Sequence, residues 1–148
     1  MFLWAGAISS GCSNLWGLSQ LLNFFVLPET LAVSRLSPGN DIPNWAVQSD
    51  FFCVTRTPQE LSIVCAESLL PPDAPAERGW IALKLAGPLP FTLTGVLASF
   101  IQPLAKAEIG IFAISTFDTD YVLIKRENLD AAIAALAGAG HEKFESQG

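Results

Sequence analysis

The strongest constraint on the fold is a repeat hidden in the chain. Residues 52–69 and 112–129 align without a gap at an offset of sixty. Phe52/Phe112, Glu67/Glu127 and Leu69/Leu129 are identical. Val54/Ile114, Thr55/Ser115, Glu60/Asp120, Ile63/Leu123 and Val64/Ile124 are chemically close. Upstream, Leu31–Pro38 parallels Ile81–Pro88 at an offset of fifty. Two copies of one supersecondary unit account for both offsets, the first copy lacking ten residues between its first and second strands.

The second copy is the more legible. Trp80–Leu85 has the apolar content of a strand, and Pro88 and Pro90 punctuate the loop after it. From Leu93, apolar residues at Val96, Leu97, Phe100, Ile101 and Leu104 recur at helical spacing, with Thr92 as an N-cap candidate and Pro103 expected to bend the last turn. Ile111–Phe117 and Tyr121–Lys125 read as strands joined at Asp118–Asp120. Asn128 is positioned to cap a second helix that ends at Gly138 and Gly140. His141–Phe144 is a candidate edge strand.

This order predicts an α+β fold with two helices on one face of an antiparallel sheet, a ferredoxin-like βαββαβ unit. In the first copy, Ile42–Val47 leaves room for one helical turn, so that copy is expected to be a reduced version. Pro71-Pro-Asp-Ala-Pro75 reads as a linker. The expected division is an extension over residues 1–22, a reduced unit with its linker over 23–75, and a full unit over 76–148.

Composition narrows the function classes. Half of the 148 residues are apolar and 15% are charged, as in a packed globule. A net charge of −6, with eight Lys and Arg and no run of them, argues against a nucleic-acid partner. Cys12, Cys53 and Cys65 form neither a CxxC pair nor a Cys/His cluster, which argues against a disulfide framework or a zinc site and for a reducing, cytoplasmic setting. The stretch Met1–Phe25 has no charge. It lacks the basic start of a secretory signal, and Ser9–Asn14 interrupts its apolar residues before a bilayer could be crossed.

Gly87–Ser99, Pro103–Ala105 and Ile111–Leu123 together resemble the ACT-domain proteins of the CASTOR-like type. Ile42–Trp45, Phe51–Thr57 and Glu60–Cys65 extend the likeness over most of the chain from about Leu27. The resemblance implies two tandem ACT units, the first reduced. It implies a ligand resembling an amino acid, held where two ACT units meet, while the residues themselves point to no cofactor or metal. Carried over position by position, the ligand residues are Thr94, Gly95 and Val96 at the helix entry and Thr116, Phe117 and Asp120 at the strand end. Gly110 and Ile111 would come from a facing unit. The arginine sensors of this type carry four ACT units in one chain, so this chain would match them as a homodimer.

The residues themselves leave two readings open at each point. A helix start at Thr94–Val96 can hold a carboxylate on its free backbone N–H groups, or be an ordinary helix entry. Asp118 and Asp120 can be solvated turn residues, or Asp120 can bind an amino or guanidinium group. Phe117 can pack on a ligand or on the core. His141, the only histidine, lacks a nucleophilic partner and is expected to act as a helix C-terminal charge. Without a GxSxG motif or a phosphate-cradling loop, an enzyme is disfavoured. A regulatory binding protein leads, and a protein-interaction module docking to an unidentified partner is the alternative.

Overall fold

The computed structural model of the chain describes residues 20–145. The expected extension over residues 1–22 lies outside that range except for its last three residues, and so does Cys12. The first copy supplies β1 (Asn23–Leu36), β2 (Cys53–Arg56) and β3 (Leu61–Ala66). The second supplies β4 (Ala76–Leu85), α1 (Val96–Lys106), β5 (Ile111–Ser115), β6 (Asp120–Lys125), α2 (Leu129–Gly138) and β7 (Glu142–Phe144). In the place of α1 the first copy has only a 3-10 turn, Asn44–Val47.

All seven strands form one sheet in the order β2-β3-β1-β4-β6-β5, with β7 beside β1. The order is the same from either edge once the two copies are equated. In the central antiparallel pair, Thr30 faces Ile81 and Leu31 faces Trp80. The offset of fifty carries Thr30 to Trp80 and Leu31 to Ile81, so each pair maps onto the other. The repeat is therefore related by a two-fold axis that passes through the β1–β4 ladder.

A free-standing unit of this kind would lay β7 against β4. Here β1 holds that place, and β7 runs parallel to Asn23–Phe25 on the outer flank of β1. Further along the same flank, Leu31–Leu36 pairs with β3. The register breaks between Val26 and Thr30, and Pro28 falls in that break, where its missing N–H leaves no gap in the ladder.

Alternation along the strands sorts the core onto two faces. On one, Ile81, Leu83, Val122 and Ile124 pack under Phe100 and Leu104 of α1 and Leu136 of α2. Val96, Phe100 and Leu104 recur every four residues on the buried side of α1, each large side chain contributing about 1.5–3 kcal/mol on burial. The matching face of the first copy packs Ala32, Leu61, Ile63 and Cys65 around Ala46 of the 3-10 turn. The other face of the sheet gathers Leu31, Val64, Ala82, Ile114 and Leu123. Although β2 and β5 are the two ends of the strand order, β2, β3 and β5 line one common cavity of about 230 Å³ on this side. The sheet is thus curled.

Three local expectations are corrected. Helix α1 begins at Val96 rather than near Thr92, because a turn closed by Leu93 N–H to the Pro90 carbonyl (2.9 Å) holds the chain out of the helix. Gly95, at φ 77°, then makes the entry in a left-handed conformation open to glycine. Asn128 makes no side-chain cap, since a 3-10 turn over Arg126–Asn128 leads straight into α2.

His141 is tied into the interior rather than standing in solvent at the end of α2. It is buried, its Nδ1 accepts the Leu22 N–H at 3.2 Å, and its Nε2 lies 3.3 Å from the Ser99 carbonyl. That carbonyl would normally be served by the N–H four residues on, which is Pro103 and has none. The imidazole, in the tautomer with its proton on Nε2, supplies the missing donor.

Candidate functional site

Two connections meet at the end of the sheet where β4 finishes. The β4–α1 loop and the β5–β6 turn are locked by Leu89 N–H to the Asp118 carbonyl (2.7 Å) and by Thr119 Oγ1 to the Leu85 carbonyl (2.8 Å). Gly87 sits so close to this turn that a Cβ there would lie 2.9 Å from the Asp118 carbonyl oxygen. Above them Phe91 and Phe117 pack edge-to-face at 5.1 Å, although both remain largely exposed.

The β5–β6 turn differs from the expected Asp118–Asp120. Thr116 N–H bonds to the Thr119 carbonyl (2.9 Å), and Thr116 Oγ1 donates to the same oxygen (2.8 Å) while facing the Thr119 N–H (3.3 Å). The turn is therefore Thr116–Thr119, and Asp120 is the first residue of β6, paired with Ser115. Ser115 Oγ donates to Asp120 Oδ1 at the surface, so this carboxylate is already oriented while still open to solvent.

Thr94, Gly95 and Val96 stand at the α1 entry. Thr94 and Gly95 are exposed, and the Val96 side chain belongs to the core. The first helical bond is Ser99 N–H to the Gly95 carbonyl (2.9 Å), so the N–H groups of the first turn lie ahead of the ladder. Gly110 and Ile111 lie at the opposite end of β5 from Thr116, about 17–20 Å away at strand rise. One chain cannot bring them into a site with Thr116–Asp120.

A cavity of about 360 Å³ adjoins the same turn, lined by Lys84, Gly87, Pro88, Thr116, Asp118, Thr119 and Tyr121. Of the residues expected from sequence, only Thr116 reaches it. The missed signal was Lys84, the only charge in the apolar run Trp80–Leu85. Its Nζ stands 5.9 Å from the Tyr121 ring centre, and Phe51 of the first copy packs on that ring at 4.8 Å. Among the described residues no group of three His, Cys, Asp or Glu side chains could hold a metal ion, and no helix is long and apolar enough to cross a membrane.

The family model for the ACT domain matches residues 76–138, and a separate N-terminal-domain model matches residues 29–73. A crystal structure of an Agrobacterium tumefaciens protein is 38% identical, with a TM-score of 0.81, covering 86% of this chain and 96% of the other. The cytosolic arginine sensor for mTORC1 subunit 1 of Bos taurus is 30% identical over 98 residues, 59% of this chain. The chain belongs to the CASTOR-like ACT-domain family.

Within that family the match is partial in length, since this ACT-domain chain spans 30% of the bovine sensor. The fold also recurs at low identity. Aspartate kinase from Clostridium acetobutylicum superposes with a TM-score of 0.61 at 10% identity, covering 82% of this chain and 35% of the kinase. The ligand-free regulatory subunit of aspartate kinase from Thermus thermophilus does so with a TM-score of 0.53 at 15% identity, covering 77% and 96%. The tandem ACT arrangement that the resemblance implied thus stands, except that both copies share a single curled sheet rather than having a sheet each.

Proposed function

We propose that this protein is a non-enzymatic, cytoplasmic regulator that binds an amino acid or similar small metabolite between ACT units. The carrying observation is the junction of the β4–α1 loop with the β5–β6 turn, which puts a helix entry, the exposed Phe117 and the oriented Asp120 carboxylate at one end of the unit. In this reading Thr94, Gly95 and Val96 present backbone N–H groups to the ligand carboxylate. Thr116 and Phe117 flank the ligand, and Asp120 takes its amino or guanidinium group. Gly110 and Ile111 come from a second copy, so the working form is a homodimer of chains divided at about residue 75. The names of the arginine-sensor and aspartate-kinase relatives support the regulatory reading.

A thermal-shift screen of amino acids tests it. A ligand at a hundred times its Kd adds about 2.7 kcal/mol, a rise of about 5–11 °C for a chain of this size. Asp120→Ala should abolish the shift caused by a basic amino acid, and an unchanged shift would reject the role of Asp120. Light scattering should find a dimer at micromolar concentration, and a monomer there would remove Gly110 and Ile111 from the site.

A second reading, a protein-interaction module without a ligand, is favoured by the exposure of Phe91 (76%), Leu93 (44%) and Phe117 (80%) together. It would prevail if no amino acid raises the melting temperature at millimolar concentration.

A further inference from the structure

Lys84 sits in an unusual place. It lies on the central strand β4, half-buried, with Phe25 of β1 and Tyr121 of β6 as its register neighbours. Lysine is uncommon in strands, and a partly buried ammonium normally finds a carboxylate. Among the described residues Lys84 makes no ion pair, as is also true of Arg56, Arg78, Lys106 and Arg126, but unlike those three arginines it has no hydrogen-bond partner for its side chain either. What faces it is the 360 Å³ space beside the β5–β6 turn, a groove open to solvent whose volume would admit a small ligand.

The cavity also carries a negative group. Asp118 lines it and does not pair with Lys84, so two opposite charges border one space without closing it. The hydroxyls of Thr116 and Thr119 are spent on the Thr119 and Leu85 carbonyls. The polar side chains left to a ligand are therefore Lys84, Asp118 and Tyr121. Phe51, from the first copy, buttresses the Tyr121 ring.

We propose that this cavity is a second ligand site, beside the one between units and sharing Thr116 with it but complete within a single chain, that takes a small zwitterion. The ligand α-carboxylate bonds to Lys84 Nζ and the Tyr121 hydroxyl, and its α-ammonium bonds to the Asp118 carboxylate. The assignment rests on the reading that the protein binds amino acids, and adds a site that needs no dimer.

Amide chemical-shift mapping of the ¹⁵N-labelled full chain separates the two. Titration with the standard L-amino acids should perturb the amides of Lys84, Gly87, Asp118, Thr119 and Tyr121. The methyl ester of the best amino acid and its deaminated acid, each lacking one charge, should bind at least about tenfold more weakly. Lys84→Gln should abolish these perturbations, while Lys84→Arg keeps most of the affinity and the exposed Lys106→Gln changes nothing. A dispersed spectrum for Lys84→Gln establishes that the variant folds. Perturbations confined to Thr94–Val96 and Asp120, and unaffected by Lys84→Gln, would overturn this site and leave the function proposed above intact. No perturbation by any amino acid would overturn both.

Discussion

His141→Leu gives the most informative test of how the second copy is held together. The substitution keeps roughly the side-chain volume but removes both ring nitrogens. The Leu22 N–H and the Ser99 carbonyl, 3.2 and 3.3 Å from those nitrogens, then lose their partners. An unpaired buried backbone group costs about 1–3 kcal/mol, and Leu22 is only half-buried, so the expected loss is about 2–4 kcal/mol. Urea unfolding followed by circular dichroism measures it. The mechanism has a sharper consequence, because Pro103 is the reason that Ser99 needs the imidazole. Pro103→Ala restores the helical N–H to the same carbonyl. It should therefore stabilise the His141→Leu protein more than it stabilises the native chain, by about 1 kcal/mol. Equal increments in the two backgrounds would refute the linkage, whatever the size of the single effects.

Three other outcomes follow from the packing. Gly87→Ala places a Cβ 2.9 Å from the Asp118 carbonyl oxygen and should cost about 1–3 kcal/mol in urea unfolding. Gly138→Ala, with nothing within 4 Å, should be neutral or stabilising by about 0.4–1 kcal/mol. Phe100→Ala empties the core between α1 and the sheet, where Phe24 meets the ring edge-on at 5.4 Å, and should cost about 3–5 kcal/mol. In a Cys12→Ser background, half-buried Cys53 should react with a thiol reagent well before Cys65. Burial, with the nearby Glu29 charge, pushes the Cys65 thiol above its ordinary value of 9.0 despite Arg78. Because the folded value is the higher one, this contribution to stability is full below pH 9 and should fall as pH rises through the raised value. Unfolding free energy measured across alkaline pH, with and without Cys65→Ala, checks the sign.

The repeat, the order of strands and helices, and the α+β class were legible in the sequence, because each depends on local periodicity and on residues compared at a constant offset. The one-turn connection at Asn44–Val47 was legible for the same reason, as ten missing residues leave no room for a helix. Boundaries set by competing hydrogen bonds were not. The Pro90–Leu93 turn delays α1, and the Thr116 hydroxyl moves the β5–β6 turn so that Asp120 enters a strand.

The candidate site divides in the same way. The segment Gly110–Tyr121 could be singled out by its residues, but sequence order alone does not say that its two ends lie a strand length apart. Lys84 meets Tyr121 through the β4–β6 register and Asp118 through the turn beside it. His141 meets Ser99 across forty-two residues. Only tertiary structure decides such meetings, since a side chain's neighbours across a ladder depend on register, and register is chosen by the whole core packing at once. The same choice placed β1 against β4, turning two copies of a unit into one curled sheet with a two-fold axis at its centre.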